Sequence, residues 1–171
     1  KERDFKTIQD GFFVDAGSSL DNPINISGYT QANPVVVTTA SAHGLTNGDT
    51  VDIWDVYKHD STTTEGFSLS DEVRGNGYTI ANVTSTTFEL QLNGSNVNGT
   101  AFAKYHNGGT VRKAITDITG LWHLEGESVT GVANGYVIPA QTVTNGAITL
   151  ATPASRVHVG INYIAELETL R

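Results

Sequence analysis

The sequence of 171 residues is long enough for one ordinary domain or two small ones. Hydrophobic residues make up 38% and charged residues 16%, both below ordinary globular averages, and Thr, Ser, Asn and Gly take their place. Recurring runs of Val, Ile, Leu, Phe and Tyr exclude a disordered chain. The net charge of −8 argues against nucleic acid or an anionic membrane as a partner, and no apolar run approaches the roughly 20 residues that cross a bilayer.

The chain contains neither Cys nor Met. Disulfides, thiolate metal sites and thiol catalysis are therefore excluded, and no motif indicates a cofactor. The missing initiator methionine leads us to expect an excised segment or a processed product. The polar residues 1–4 give no sign of a secretory signal.

Helical patterns are confined to residues 1–8 and 164–170, and both are short. Between them, β-prone runs alternate with turn residues, which predicts an all-β fold. In the first two thirds of the chain the predicted strands are residues 12–14, 34–39, 50–54, 77–83, 87–92 and 110–114. A long loop is predicted for residues 57–77, an Asn- and Gly-rich loop for residues 93–99, and a turn for residues 107–109.

Alternation predicts which residues share a face in two of these strands. Val51 and Ile53 share one face of their strand, and Asp52 and Trp54 share the other. In the strand of residues 87–92, the residues predicted to share one face are Phe88, Leu90 and Leu92.

The last third of the chain carries closely spaced short strands, predicted at residues 128–133, 136–138, 141–143, 147–150 and 157–161. Asn134-Gly135 and Asn145-Gly146 separate some of them, and Asn-Gly between β-prone runs is the strongest short signal for a hairpin. This spacing indicates a small β-sandwich or barrel.

One resemblance covers residues 31–92. It is carried by Ala-His-Gly-Leu-Thr-Asn-Gly-Asp-Thr-Val at residues 42–51, by Gly-Asn-Gly-Tyr-Thr-Ile-Ala-Asn-Val at residues 75–83, and by Thr-Thr-Phe-Glu-Leu at residues 86–90. This pattern resembles a small β-barrel module of phage proteins, described as similar to the first catalytic-cysteine half-domain of ubiquitin-activating enzymes. The chain has no cysteine, so ubiquitin chemistry does not carry over.

A second resemblance surrounds the first. Ile-Thr-Gly-Leu-Trp-His-Leu-Glu-Gly at residues 118–126 resembles a segment of tailed-phage tail proteins of the tube, nozzle or stabilisation type. In that family a Phe-Val-Asp-Ala-Gly strand, present here at residues 13–17, leads almost directly into this segment. The interruption implies a discontinuous tail-protein β domain of residues 1–25 and 115–171, with a β-barrel module of residues 26–114 inserted in a loop.

The polar residues that catalysis or metal binding would need have simpler structural interpretations. We interpret His43 as bonded to a turn backbone, the pair His123 and Glu125 as stabilising a turn, and His158 as an outward-facing strand residue. Three acids spaced by three residues, Asp49, Asp52 and Asp55, do not fit a calcium loop and are predicted to be solvated. We expect no enzyme and no metal site.

Four aromatic residues are candidates for an interaction surface: Trp54, Tyr57, Phe67 and Trp122. The alternative is that they fill the edge of a small core. The second resemblance implies a structural protein of the virion tail, made in the bacterial cytoplasm, whose partners are copies of itself and other tail proteins. The alternative function is a module that binds a carbohydrate or a host receptor on the virion. A third hypothesis is a tail-borne polysaccharide hydrolase, but the sequence contains no hydrolase pattern.

Overall fold

Short β-prone runs separated by glycine and asparagine produce strands throughout the structure. The computed structural model describes residues 15–59, 67–69 and 75–162. These residues form thirteen strands, one 3-10 turn and no α-helix, so the predicted all-β class is confirmed. The candidate helical segments at residues 1–8 and 164–170, and the strand predicted at residues 12–14, lie outside the described residues.

The strands are, in chain order, β1 (Asp15–Asp21), β2 (Ile24–Tyr29), β3 (Val36–Thr39), β4 (Thr50–His59), β5 (Phe67–Leu69), β6 (Gly75–Ala81), β7 (Thr87–Leu92), β8 (Ser95–Asn96), β9 (Tyr105–Ile118), β10 (Ser128–Ala133), β11 (Tyr136–Thr142), β12 (Ile148–Ala154) and β13 (Arg156–Ile161).

The chain divides into two compact units. One, the sheet unit, comprises Lys1–Asp21 together with Thr116–Arg171, and the other, the barrel unit, comprises Asn22–Ile115. The sheet unit is discontinuous in sequence, and β1 near its start pairs antiparallel with β13 near its end. Strand β9 begins in the barrel unit and ends in the sheet unit.

The barrel unit is a closed barrel of six strands. Its strands follow the order β9, β2, β3, β7, β6, β4, and β4 returns to β9 through pairs that run from Thr50 with Ala114 to Lys58 with Tyr105. Closure leaves these six strands without a free edge between them. Its buried apolar core is Ile26, Val35, Val37, Leu45, Val51, Ile53, Val56, Tyr78, Ile80, Phe88, Leu90 and Val111.

Strand β7 shows how the sequence pattern fills this core. Phe88 and Leu90 are fully buried, as their alternation predicts. Leu92, predicted to share their face, is nevertheless 43% exposed. The reason is that Leu92 pairs with Ser95 at the tip of a hairpin, where Asn93 and Gly94 form the two-residue turn.

The sheet unit contains a four-stranded sheet in the order β1, β13, β10, β11. Asn134-Gly135 joins β10 to β11, and both residues have positive φ, 48° and 89°, as a type I′ hairpin turn requires. The predicted hairpin is therefore confirmed. The strands predicted at residues 136–138 and 141–143 form the single strand β11.

Three sequence predictions are wrong in the barrel unit. Residues 57–77 are not one loop, because β4 continues to His59 and pairs with β5. Residues 107–109 lie inside β9 rather than in a turn. Residues 93–99 contain the short strand β8. Backbone pairing holds β8 and residues 107–109, whose side chains are polar or absent, and β5 is only three residues long, so hydrophobic alternation detects none of the three.

The barrel core predicts unequal costs for two truncations in β7. Phe88→Ala should lower the free energy of unfolding by about 3–5 kcal/mol, because it empties a closed core. Leu92→Ala, on the same strand but partly exposed, is the matched control and should cost less than about 1 kcal/mol. Denaturant titration of both variants is the measurement, and similar costs would contradict the assignment of the core.

Candidate interaction site

The segment at residues 118–126 folds into a 3-10 turn, Trp122–Leu124. Leu121 and Leu124 are three residues apart, which places both on one side of such a turn, and both are buried. Trp122 and His123 between them are exposed. The two leucines therefore anchor the turn, and the indole is left at the surface.

Glu125 fixes this turn to the one formed by Asn145 and Gly146. Its carboxylate accepts hydrogen bonds from the backbone N–H groups of Asn145 at 3.0 Å and Gly146 at 2.6 Å. The Leu121 N–H donates to the Gly146 carbonyl at 2.8 Å. A carboxylate that accepts two backbone N–H groups makes charge-assisted bonds, the stronger kind of hydrogen bond. The predicted turn-stabilising role of Glu125 is confirmed.

His123 also bonds to the backbone of the sheet unit. Its Nε2 atom lies 3.0 Å from the carbonyl oxygen of Ala16 in β1. Ala16 has a positive φ of 49°, which is unusual for alanine, so a side-chain partner for its carbonyl helps to hold an irregular point of the strand. His123 and Glu125 thus bond to separate backbone segments, and the prediction that they stabilise a turn is wrong for His123, which bonds to a strand.

Trp122 rests on Gly146 with one face of its ring. A Cβ atom built on Gly146 would lie 2.5 Å from Cδ2 and 2.7 Å from Cε2 of the indole. These are the two ring-fusion atoms, and so close an approach to both is possible only from above the ring plane. The side chain is nevertheless 69% exposed. One face of the indole therefore covers the glycine, and the other is open to solvent.

The sheet unit also exposes two apolar residues that the sequence analysis missed. Tyr136 is 76% exposed and Val137 is 71% exposed at the start of β11. In the described part of the sheet, β11 is the last strand of the order. The signal that could have revealed them is their position directly after a hairpin turn, where side chains on an outer strand have few neighbours.

The other predicted interaction residues belong to the barrel unit. Trp54 and Tyr57 are half-buried in β4. The ring of Tyr57 lies against Gly108, where an added Cβ would approach it to 2.9 Å. Phe67 pairs through its backbone with His59, and its side chain lies outside the described part of the structure. Of the four predicted residues, Trp122 is thus the one whose described side chain is mostly exposed.

His43 is buried, and its Nδ1 atom accepts a hydrogen bond from the Leu45 N–H at 3.0 Å. Its ring meets Phe88 edge to face at 5.5 Å. The predicted role of bonding to a turn backbone is confirmed. His158, predicted to face outward, is half-buried, and its Nδ1 atom bonds to the Ser19 hydroxyl on the neighbouring strand β1.

The prediction that Asp49, Asp52 and Asp55 are all solvated is wrong for Asp52, which is 1% exposed, and for Asp49, whose side chain is 13% exposed. Asp52 lies opposite Arg112, itself buried, in the pairing of β4 with β9. Its Oδ1 atom accepts a hydrogen bond from the Gly77 N–H at 2.9 Å. Alternation places Asp52 on the outer side of the barrel, but an outward residue is exposed only where nothing packs over it.

Asp49 is held by an ion pair with Lys113, whose Nζ lies 2.7 Å from its carboxylate. Burial acts to raise the pKa of Asp49, but hydrogen bonds from Lys113 and the Thr46 N–H and the charge of Lys113 outweigh it. The pKa of this carboxyl is therefore lowered. Asp55 is exposed, with a positive φ of 59°.

Among residues 15–59, 67–69 and 75–162, no group of three or more His, Asp or Glu side chains is arranged to hold a metal ion. The same residues include no helix long and apolar enough to span a membrane. The chain matches no known protein-family model and no curated protein at a significant level.

The contact between Trp122 and Gly146 predicts that substitution of Gly146 lowers the stability of the protein unusually strongly. Gly146→Ala would force the new Cβ into the indole and should destabilise the protein by about 1–3 kcal/mol more than a control. The control is Gly120→Ala, where φ is also positive, at 84°, but nothing lies within 4 Å of the added atom. Thermal unfolding and tryptophan fluorescence are the measurements, and equal effects would show that the indole does not rest on Gly146.

The ion pair of Asp49 predicts a loss of stability in acid. Because the folded state lowers the pKa of Asp49, this contribution is complete above the ordinary carboxyl pKa of about 3.9 and is lost as pH falls through the folded value. In Lys113→Met the free energy of unfolding should therefore decrease less steeply with falling pH, below about pH 4, than in the unmodified chain. Lys104→Met, which removes an exposed lysine, is the control for the change in charge, and denaturant titrations across pH decide between them.

Proposed function

We propose that this chain is a non-enzymatic structural and interaction module of a tailed-phage tail protein. In this role it contributes subunit packing or surface decoration to the virion. The resemblance of residues 118–126 to tail proteins suggests the setting. The single observation that supports packing as the mechanism is the set of large apolar side chains exposed on the sheet unit.

Exposure of this kind is unfavourable for an isolated protein and useful for an assembling one. Trp122, Tyr136 and Val137 each leave more than two thirds of their surface in solvent. Burial of apolar surface stabilises a contact by about 25 cal/mol per Å², and large aromatic residues dominate the energetics of interfaces. The partners would be other copies of the chain and other tail proteins.

The strand that carries two of these residues adds a second kind of contact. In the described sheet β11 has β10 on one side and no further strand on the other. The backbone groups of an outer strand can pair with a strand from another chain. A subunit contact along β11 would bury Tyr136 or Val137 together with that backbone.

The second candidate is a carbohydrate- or receptor-binding module of the same virion. The open face of Trp122 favours it, because an indole fixed by Gly146 on one side offers a flat apolar surface to a sugar ring on the other. Under this alternative the bound ring would stack on Trp122 without any contact between subunits.

Assembly measurements test the packing proposal. Sedimentation velocity over a concentration series should show self-association, and Trp122→Ala or Tyr136→Ser should weaken it by about thirtyfold or more, as expected for an interface hot spot. Leu92→Ser, which changes a partly exposed leucine of the barrel unit, is the control and should leave association unchanged.

A glycan array separates the two candidates. Binding of a glycan that is lost in Trp122→Ala, together with a chain that remains monomeric at every concentration, would favour the carbohydrate-binding function and contradict packing. Association that resists both sheet-unit substitutions would also contradict the proposed contact surface.

A further inference from the structure

The chain contains seven Asn-Gly pairs, a sequence that is chemically reactive in proteins. The backbone nitrogen of the glycine attacks Cγ of the asparagine side chain, a C–N bond forms, and ammonia leaves. Water then opens the resulting five-membered imide to aspartate or isoaspartate. The reaction needs a glycine nitrogen that is free to turn toward a mobile asparagine side chain. Hydrogen bonds to either group therefore slow it.

We propose that Asn93-Gly94 is the pair at which the folded protein deamidates first. The structure separates this pair from the other six by what holds the glycine nitrogen or the asparagine side chain.

In four pairs the attacking nitrogen is already bonded. The N–H groups of Gly48 and Gly99 donate to the carbonyl groups of Ile80 and Ala32, at 2.9 Å and 2.8 Å. Those of Gly77 and Gly146 donate to carboxylates, the first to Asp52 at 2.9 Å and the second to Glu125 at 2.6 Å. Attack would require each of these bonds to break.

In the pair Asn134-Gly135 the side chain is held instead. Its Oδ1 atom accepts hydrogen bonds from the N–H groups of Ser155 at 3.2 Å and Arg156 at 3.0 Å. The backbone N–H of Asn134 also donates to the Arg156 carbonyl at 2.8 Å. These bonds fix the rotamer of the asparagine.

The pair Asn107-Gly108 lies within the longest strand of the barrel. Asn107 is opposite Tyr57 and Gly108 is opposite Val56 in the pairing of β9 with β4. An atom added to Gly108 would come within 2.7 Å of the Asp55 carbonyl, which shows how closely the two strands approach there. Rotation of this peptide would disrupt the closure of the barrel.

Asn93-Gly94 has none of these restraints among the described residues. The pair is the exposed two-residue turn between β7 and β8, with φ values of 51° and 78°. No hydrogen bond joins the Asn93 amide or the Gly94 N–H to any described residue. Beyond the turn, β8 has two residues, both exposed, and Leu92 before it is partly exposed. Opening this tip sacrifices little burial, and local opening of this kind has a low free-energy cost.

The product would alter the hairpin locally. Isoaspartate adds one backbone carbon to a two-residue turn and displaces the pairing of Leu92 with Ser95. Behind the tip, Gln91 pairs with Asn96, and the Val97 N–H bonds to the Leu90 carbonyl at 2.9 Å. The modified protein should therefore keep its barrel while it gains one negative charge at position 93.

Incubation of the native chain at mildly alkaline pH, followed by site-resolved peptide mass spectrometry, tests the proposal. Asn93 should deamidate at least about tenfold faster than Asn145, because a backbone N–H bonded to a carboxylate must lose a hydrogen bond stronger than the average. In concentrated urea the seven pairs should react at similar rates, which shows that folding causes the difference.

A variant provides the matched control. Glu125→Ala frees the Gly146 N–H and should raise the rate at Asn145 about tenfold while leaving Asn93 unchanged. Circular dichroism establishes that the variant is folded. Equal rates at Asn93 and Asn145 in the native protein, or faster reaction at any held pair, would overturn the proposal whatever the variant does.

Discussion

The pairing of β4 with β9 is the constraint on which the barrel depends. It joins the two strands over positions from Thr50 to Lys58. Without it the six strands would form an open sheet with five antiparallel pairings, and with it they form a closed ring. Because closure fixes which residues point inward, it places Val51, Ile53 and Val111 in the core. It also places two buried charged residues, Asp52 and Arg112, at opposite positions of the pairing, where either charge alone would be costly.

Turns of asparagine and glycine connect this chain, and what surrounds each turn determines what it does. Asn145-Gly146 is held by Glu125 and carries Trp122, so a tight turn becomes the support of an exposed aromatic face. Asn134-Gly135 is held by its contacts with the chain near Arg156. Asn93-Gly94 is held only by its own hairpin. The same two residue types therefore support an aromatic side chain at Asn145-Gly146 and form a reactive hairpin tip at Asn93-Gly94.

Prediction from the sequence succeeded where local chemistry is decisive. The hairpin at Asn134-Gly135 follows from the need for positive φ at both residues, and the burial of Phe88 and Leu90 follows from alternation. It failed where a paired strand is too short or too polar to show alternation, as at β5 and β8. It failed again at Asp52, whose burial depends on what covers the outer side of the barrel. Exposure of Tyr136 and Val137 was missed because both are ordinary strand residues by propensity.

The sequence by itself determined the all-β class, the hairpin turn at Asn134-Gly135 and the absence of thiol chemistry, because strand propensity, positive φ at asparagine and glycine, and cysteine content are all local properties. Only the tertiary structure decided which strands close the barrel, that Glu125 clamps a turn twenty residues away, and that Trp122 rests on Gly146 with its other face open. The physical reason is that hydrogen bonds and ring contacts between distant residues depend on strand order and register, and neither is encoded in any single segment.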